Sequence, residues 1–382
     1  MLLRKTLSVI SMFLLLIPLF CSPVYAVESD AITVSAKSAI LIDQKSGTVL
    51  YEKNADEAMP PASITKIMTM LLTMEALQNG SLSLTDPVTG SENAASMGGT
   101  QIWLEVGETF TVDEMLKACA IASANDASMA LAEHIGGNEG AFVAMMNQKA
   151  AALGMKNTVF QNPTGLDADG HLSTARDIAI MSKELLAYPQ ITNYTTVWMD
   201  SLRDGAMELV NTNKLVRFYQ GCTGLKTGTT DGAGSCLSAS AERNGLSLIA
   251  VVMGCKTSKE RFADARALLD YGFAAYEQYT PVLPEDIPEK LAVTGGMELW
   301  VDIDAKLPQS ILMTKGSSAQ IEVQTLLNDT VTAPIFTGDV LGEIVYRDKN
   351  EVLCRVPLLA QSDIKELNFK NTWKALLAAL FA

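Results

Sequence analysis

Three short clusters in this chain carry groups that can do chemistry together. Ser63-Ile64-Thr65-Lys66 sets a hydroxyl and an amine three residues apart, where the turn at Pro60-Pro61 gives way to an apolar helical run. Ser123-Ala124-Asn125 sets a hydroxyl and an amide between two apolar helical runs. Lys226-Thr227-Gly228, followed by Thr229-Thr230, lies on a strand entering the glycine-rich turn Gly232-Ala233-Gly234. A serine hydroxyl is a poor nucleophile until a base takes its proton. A lysine is a poor base until burial or a nearby positive charge lowers its pKa. Residues i and i+3 share a helix face, so Lys66 can point at the Ser63 hydroxyl. The ammonium of Lys226, together with burial, would favour neutral Lys66, which could then deprotonate Ser63. Ser123 is expected to relay that proton to a leaving nitrogen, and Asn125 to hold the backbone of a substrate. The strand carrying Lys226, Thr227 and Gly228 offers an edge to which an extended peptide can add. The backbone N–H groups of Ser63 and Thr229 are the expected oxyanion hole. Taken singly, each cluster also has a plain structural reading: a helix start with a solvated lysine, a loop with a cap, a strand end at a hairpin.

Positioning these groups takes a mixed scaffold. Residues 38–43 and 48–51 read as a hairpin turned by 44–47. Residues 64–78 read as a helix stopped near Gly80, and 112–121, 127–134 and 140–153 as further helices. Residues 225–227, 236–241 and 246–253 read as strands, the last so continuously apolar that it should be buried on both faces. An amphipathic helix follows over 258–276. The prolines at 281, 284 and 288 mark a linker. Beyond it, 298–303, 319–323, 342–346 and 352–356 read as short strands of a small β-domain. In the tail, Phe369, Trp373, Leu376, Leu377 and Leu380 recur at helical spacing with Lys370, Asn371 and Lys374 off the stripe. That pattern fits a helix lying on a membrane surface or one docked on its own domain.

The N-terminus indicates the compartment. Arg4 and Lys5 precede an apolar run over 7–20 and a small-residue cleavage signal ending at Ala26, so residues 1–26 read as an export leader. The alternative, a retained membrane helix, would be short for a span. The 382 residues carry a net charge of -14, which leaves no electrostatic footprint for nucleic acid. Only His134 and His171 are present, and neither belongs to a His-x-x-x-His pair, so no metal is expected. His134 suits a helix C-terminus, and His171 a loop before an N-cap at Ser173. A serine enzyme with so few histidines would draw its base from elsewhere. Cys119, Cys222, Cys236, Cys255 and Cys354 follow the leader without C-x-x-C spacing and read as buried small hydrophobes, with a Cys222–Cys236 bridge conceivable.

The set Ser-x-x-Lys, Ser-x-Asn and Lys-Thr-Gly, in this order, is a known catalytic signature. With Asn162-Pro163-Thr164-Gly165-Leu166-Asp167, Ser173-Thr174-Ala175-Arg176-Asp177 and Gly224-Leu225-Lys226-Thr227-Gly228, the chain resembles the low-molecular-mass penicillin-binding proteins, the serine-type D-alanyl-D-alanine carboxypeptidases. The resemblance implies an α+β, transpeptidase-like catalytic domain (27–278), with an antiparallel sheet flanked by helices. It further implies a small all-β C-terminal domain (279–366) and an amphipathic membrane-surface helix (367–382). The implied activity is removal of the terminal D-alanine from peptidoglycan pentapeptide stems through an acyl-serine. The resemblance also implies that no cofactor is needed and that penicillins acylate the same serine. The implied partners are the stem peptide, β-lactams and the outer face of the cytoplasmic membrane. Arg261 resembles the family position that helps hold the substrate's terminal carboxylate; its plain reading is a surface arginine. Thr229 stands where relatives often carry histidine. A class A β-lactamase would need a carboxylate to drive water onto the acyl-enzyme, and Gln161-Asn162-Pro163-Thr164 offers amides there. A non-catalytic wall-binding protein is the remaining alternative.

Overall fold

The computed structural model describes residues 32–308, 310–317, 320–349 and 351–380. The expected leader, 1–26, lies outside them. The described chain forms two compact units, residues 32–278 and 279–380.

An apolar run rich in β-formers makes Leu246–Cys255 the centre of the first unit, and all ten of its residues are buried. It lies between Ser38–Asp43 and Gly234–Arg243 in an antiparallel sheet. Val49–Lys53 forms one edge of that five-stranded sheet and Cys222–Thr230 the other. Burial on both faces requires a cover on each. Ile249, Val251 and Met253 join the core cluster that contains Ile178, Met181 and Leu185 of the Ala175–Leu186 helix. Leu248 meets the Ser258–Ala275 helix so closely that a Cβ on Gly272 would stand 2.5 Å from it.

The helix after Pro61 begins later than its apolar pattern indicates. Ala62–Thr65 is a 3-10 turn, and the α-helix runs Lys66–Gln78. The Val112–Lys117 helix changes into a π-turn, Ala118–Ala122, which ends at Ser123 in the left-handed conformation (φ 67°). Asn125–Gly136 follows at once and is closed by Gly137. The cap before Ala175 is Thr174, whose hydroxyl accepts from Asp177 N; it is not Ser173, whose hydroxyl is spent on Thr158.

Cys222 pairs with Ala241 and Cys236 with Gly228, so the two cysteines sit at opposite ends of one ladder. They are too far apart for a bridge, and no disulfide joins any of residues 119, 222, 236, 255 and 354.

In the second unit a six-stranded sheet runs in the order Ile321–Leu327, Val340–Asp348, Glu351–Ala360, Trp300–Ala305, Lys290–Thr294, Thr330–Thr332. Lys290–Thr294 and Thr330–Thr332 are additional to the expected strands. The first follows a proline-rich stretch that masks its alternation, and the second is three residues long. Phe369–Leu380 is helical, with Phe369, Trp373 and Leu376 more than half exposed.

Candidate active site

Ser63 sits on a strained turn. Ala62 has φ 50°, a left-handed value that costs a non-glycine residue about 1–2 kcal/mol. Two glycines allow the turn to be packed so tightly. A Cβ on Gly165 would lie 1.9 Å from Ala62 O, and one on Gly228 would lie 3.0 Å from both Ser63 N and Pro61 O. The edge strand and the segment around Gly165 therefore abut the serine from two sides.

Lys66 is fully buried one residue into its helix. Its Nζ lies 3.0 Å from Ser63 Oγ, 2.6 Å from Asn125 Oδ1 and 2.6 Å from the Thr164 carbonyl. The orientation of the Asn125 amide is fixed because Nδ2 donates to Gly98 O at 2.7 Å. Burial lowers the Lys66 pKa to about 8, while Cys119 and Asp126 act in the opposite direction. Repulsion between the two ammonium groups opposes their both being charged, and burial adds to it at each. Lys226 is itself fully buried, and burial and then the Lys66 charge push it well below the usual lysine range. Its Nζ donates to the Thr227 carbonyl at 3.1 Å.

Asn125, expected to hold a substrate backbone, gives Oδ1 to Lys66 and one Nδ2 hydrogen to Gly98 O, and an amide NH2 has a second to offer. The other predicted residues divide. Ser123 is buried beside Asn125, yet its hydroxyl bonds to neither lysine. Thr227 Oγ1 donates to Thr212. Thr229 is exposed; its hydroxyl donates to Gly228 O and accepts from Arg261 Nη1, each at 2.8 Å. Arg261 is not a surface arginine. It is 8% exposed, and Nη1 also donates to Gly228 O at 2.9 Å. Its Nε is buried with no partner.

The supporting roles of several residues escaped the sequence reading. Asn162 Oδ1 accepts from Thr164 N, Thr164 Oγ1 and Gly165 N, and so shapes the turn that presents the Thr164 carbonyl to Lys66. An Asx-turn ahead of Thr-Gly was its available signal. Asp167 accepts from Thr230 Oγ1 at 2.7 Å and ties the same segment to the end of the edge strand. His171 lies in a loop, as expected, and is buried there. Gln161 N donates to its Nδ1, which leaves the ring proton on Nε2 for Thr65 Oγ1 at 2.9 Å. Burial lowers its pKa to about 4. Among the described residues no group of His, Cys, Asp or Glu could hold a metal ion.

Two family models match the chain. Residues 25–257 match "D-alanyl-D-alanine carboxypeptidase", and residues 276–366 match "Penicillin-binding protein 5, C-terminal domain". D-alanyl-D-alanine carboxypeptidase DacF of Bacillus subtilis is 48% identical over 338 residues, 87% of each chain. DacC of Escherichia coli is 35% identical over 92% of this chain and 90% of its own. Among solved structures, penicillin-binding protein 5 from Haemophilus influenzae superposes with a TM-score of 0.78 at 31% identity, covering 88% of this chain and all of its own. Penicillin-binding protein D2 from Listeria monocytogenes in its ampicillin-bound form has a TM-score of 0.58 at 34% identity, over 63% of this chain and 99% of its own.

Proposed function

This chain belongs to the D-alanyl-D-alanine carboxypeptidase family, and from that membership we propose how its residues divide the reaction. The activity is hydrolysis of the terminal D-alanine from peptidoglycan stems. The observation that carries the assignment of roles is the set of partners around Lys66. Asn125 Oδ1 and Thr164 O can only accept. An ammonium would donate to both and to Ser63 Oγ. A neutral amine has two N–H groups for those two acceptors, and its lone pair is left for the Ser63 hydroxyl.

Ser63 gives its proton to Lys66 and attacks the carbonyl carbon of the penultimate D-alanine. The resulting oxyanion takes hydrogen bonds from the N–H groups of Ser63 and Thr229. As the C–N bond breaks, Lys66 returns the proton through Ser123 Oγ to the leaving amine, and D-alanine departs. Water then attacks the acyl-serine with Lys66 again as base, which restores Ser63. The stem peptide lies along the outer edge of Cys222–Thr230, the edge strand on the Ser63 side of the sheet. Lys226 and Gly228 line that edge. The Thr229 hydroxyl, braced by Arg261, turns from Gly228 O to donate to the substrate's terminal carboxylate in place of a direct arginine contact.

The same serine takes β-lactams as pseudo-substrates. Lys66 has no carboxylate among its hydrogen-bond partners, which supports a long-lived penicilloyl ester rather than rapid turnover. Export by residues 1–26 would place residues 27–278 as catalytic domain and 279–366 as β-domain outside the cytoplasm. Residues 367–382 would hold the protein at the outer face of the membrane. Among the described residues no helix is long and apolar enough to cross a membrane, so this attachment would be peripheral. Labelling with fluorescent penicillin while following D-alanine release tests the reading. Stable label plus D-alanine release is expected. Rapid loss of label would indicate a lactamase, and neither signal a wall-binding protein.

A further inference from the structure

Residues 97–104 form the loop outside Asn125: Gly98 O accepts from its side chain and Thr100 O from its backbone N–H at 2.7 Å. Within that loop Trp103 is 72% exposed and has φ 56°, a left-handed value rare for a bulky residue. The conformation is imposed from two directions. The buried Asp126 carboxylate accepts from Ile102 N and from Leu104 N, each at 3.0 Å. Arg203 donates to Ile102 O at 2.8 Å and Trp103 O at 3.1 Å, and is itself gripped by both Glu108 oxygens at 2.8 Å. Four backbone groups around one exposed indole are thus fixed by two charged side chains. Of the left-handed non-glycine residues in the unit, Asn54, Arg203, Asp204 and Asn244 are polar residues in turns or bends, whereas Ala62 and Trp103 are apolar and, with Ser123, lie in the segments that carry or adjoin Ser63 and Asn125. Strain held by surrounding structure gathers at functional positions. A tryptophan on a fixed backbone, with only two side-chain torsions to order, gains contact area on binding at low entropic cost.

We propose that Trp103 is a specificity residue: its indole packs against the stem peptide upstream of the two D-alanines, so the enzyme favours long stems over short D-Ala-D-Ala esters and amides. The inference rests on the proposed function, with the stem along the outer edge of Cys222–Thr230 and its upstream residues reaching the loop over 97–104. Because the contact is remote from the reacting bond and equal in ground and transition states, it acts on KM.

The test compares wild type, Trp103→Ala and Trp103→Phe on three substrates: an N-acylated D-Ala-D-Ala dipeptide, the free pentapeptide, and the pentapeptide on its disaccharide. With Trp103→Ala, KM for the free pentapeptide should rise about tenfold with kcat within twofold. The N-acyl dipeptide should change less than twofold, and Trp103→Phe should recover most of the loss. The disaccharide-linked stem should show the same ratio as the free stem. An effect seen only with the disaccharide would assign the indole to the glycan and overturn the proposal. An equal loss on all three substrates, or a parallel fall in benzylpenicillin acylation, would mean that Trp103 only shapes the loop, and would overturn it too. If wild type releases D-alanine from none of the substrates, the reading of the site fails, not that of Trp103.

Discussion

At the scale of single residues, Lys66 is the group on which the chemistry turns. A base with its pKa near 8 is about a tenth neutral at pH 7, which suffices for a general base that is regenerated each cycle. Activity should therefore rise with pH and level off near pH 8, because the working form is the deprotonated one. Asn125→Asp puts a carboxylate against Lys66 in place of an amide oxygen 2.6 Å away. The ammonium is then favoured, and the pH–rate profile should move up by about a unit or more. An unmoved profile would mean that another group limits the rate. Ser63→Ala should cost roughly 10⁴-fold or more in kcat/KM and abolish penicillin labelling, with the melting temperature little changed. Serine, lysine and the Lys-Thr-Gly run were legible in the sequence because residue type and spacing carry their chemistry. The Thr164 carbonyl was not, since any residue supplies a carbonyl and only the fold aims it at Lys66. The depth of burial of Lys226 and the Arg261 charge beside it were not legible either, since only the fold sets them.

At the scale of elements, the sheet and its long helices could be read from periodicity, and the central strand is as buried as its unbroken apolar run implied. The starts and ends of elements near the site were misread for one reason: tertiary packing overrides local preference there. Ile64 has a helical sequence context, yet Ala62–Thr65 is tightened into a 3-10 turn by the close approach of Gly165 and Gly228. Gly165→Ala should displace that turn, costing about 2–4 kcal/mol in stability and lowering acylation more than a comparable surface change, checked by denaturant unfolding and labelling rate. His171 braces the same turn through Thr65. Its pKa is lowered from 6.5 to about 4, so the unfolded chain binds the extra proton between those values. Stability should thus be full above about pH 6.5 and fall by about 3 kcal/mol as pH drops towards 4. His171→Gln should flatten that dependence in thermal melts, whatever it does to the stability at pH 7.

At the scale of the whole molecule, two units of different texture follow one another, a mixed sheet-and-helix unit and an all-β one ending in a helix. The change of texture was visible as a loss of helical periodicity after the three prolines. The number of strands was not, because three- and five-residue strands carry little pattern. Removal of residues 369–382 should leave D-alanine release from soluble stems unchanged and greatly reduce sedimentation with phospholipid vesicles. The chain's net charge of -14 is repelled by an anionic surface. Binding through Phe369, Trp373 and Leu376 should accordingly survive 0.5 M salt, where a purely electrostatic contact would be lost.

The second-order rate of benzylpenicillin acylation between pH 5.5 and 10 bears most directly on the role given to Lys66. A rate that climbs about tenfold per pH unit at the acid end and levels near pH 8 is predicted. A rate flat across that range, or one still climbing at pH 10, would remove Lys66 as the base that activates Ser63.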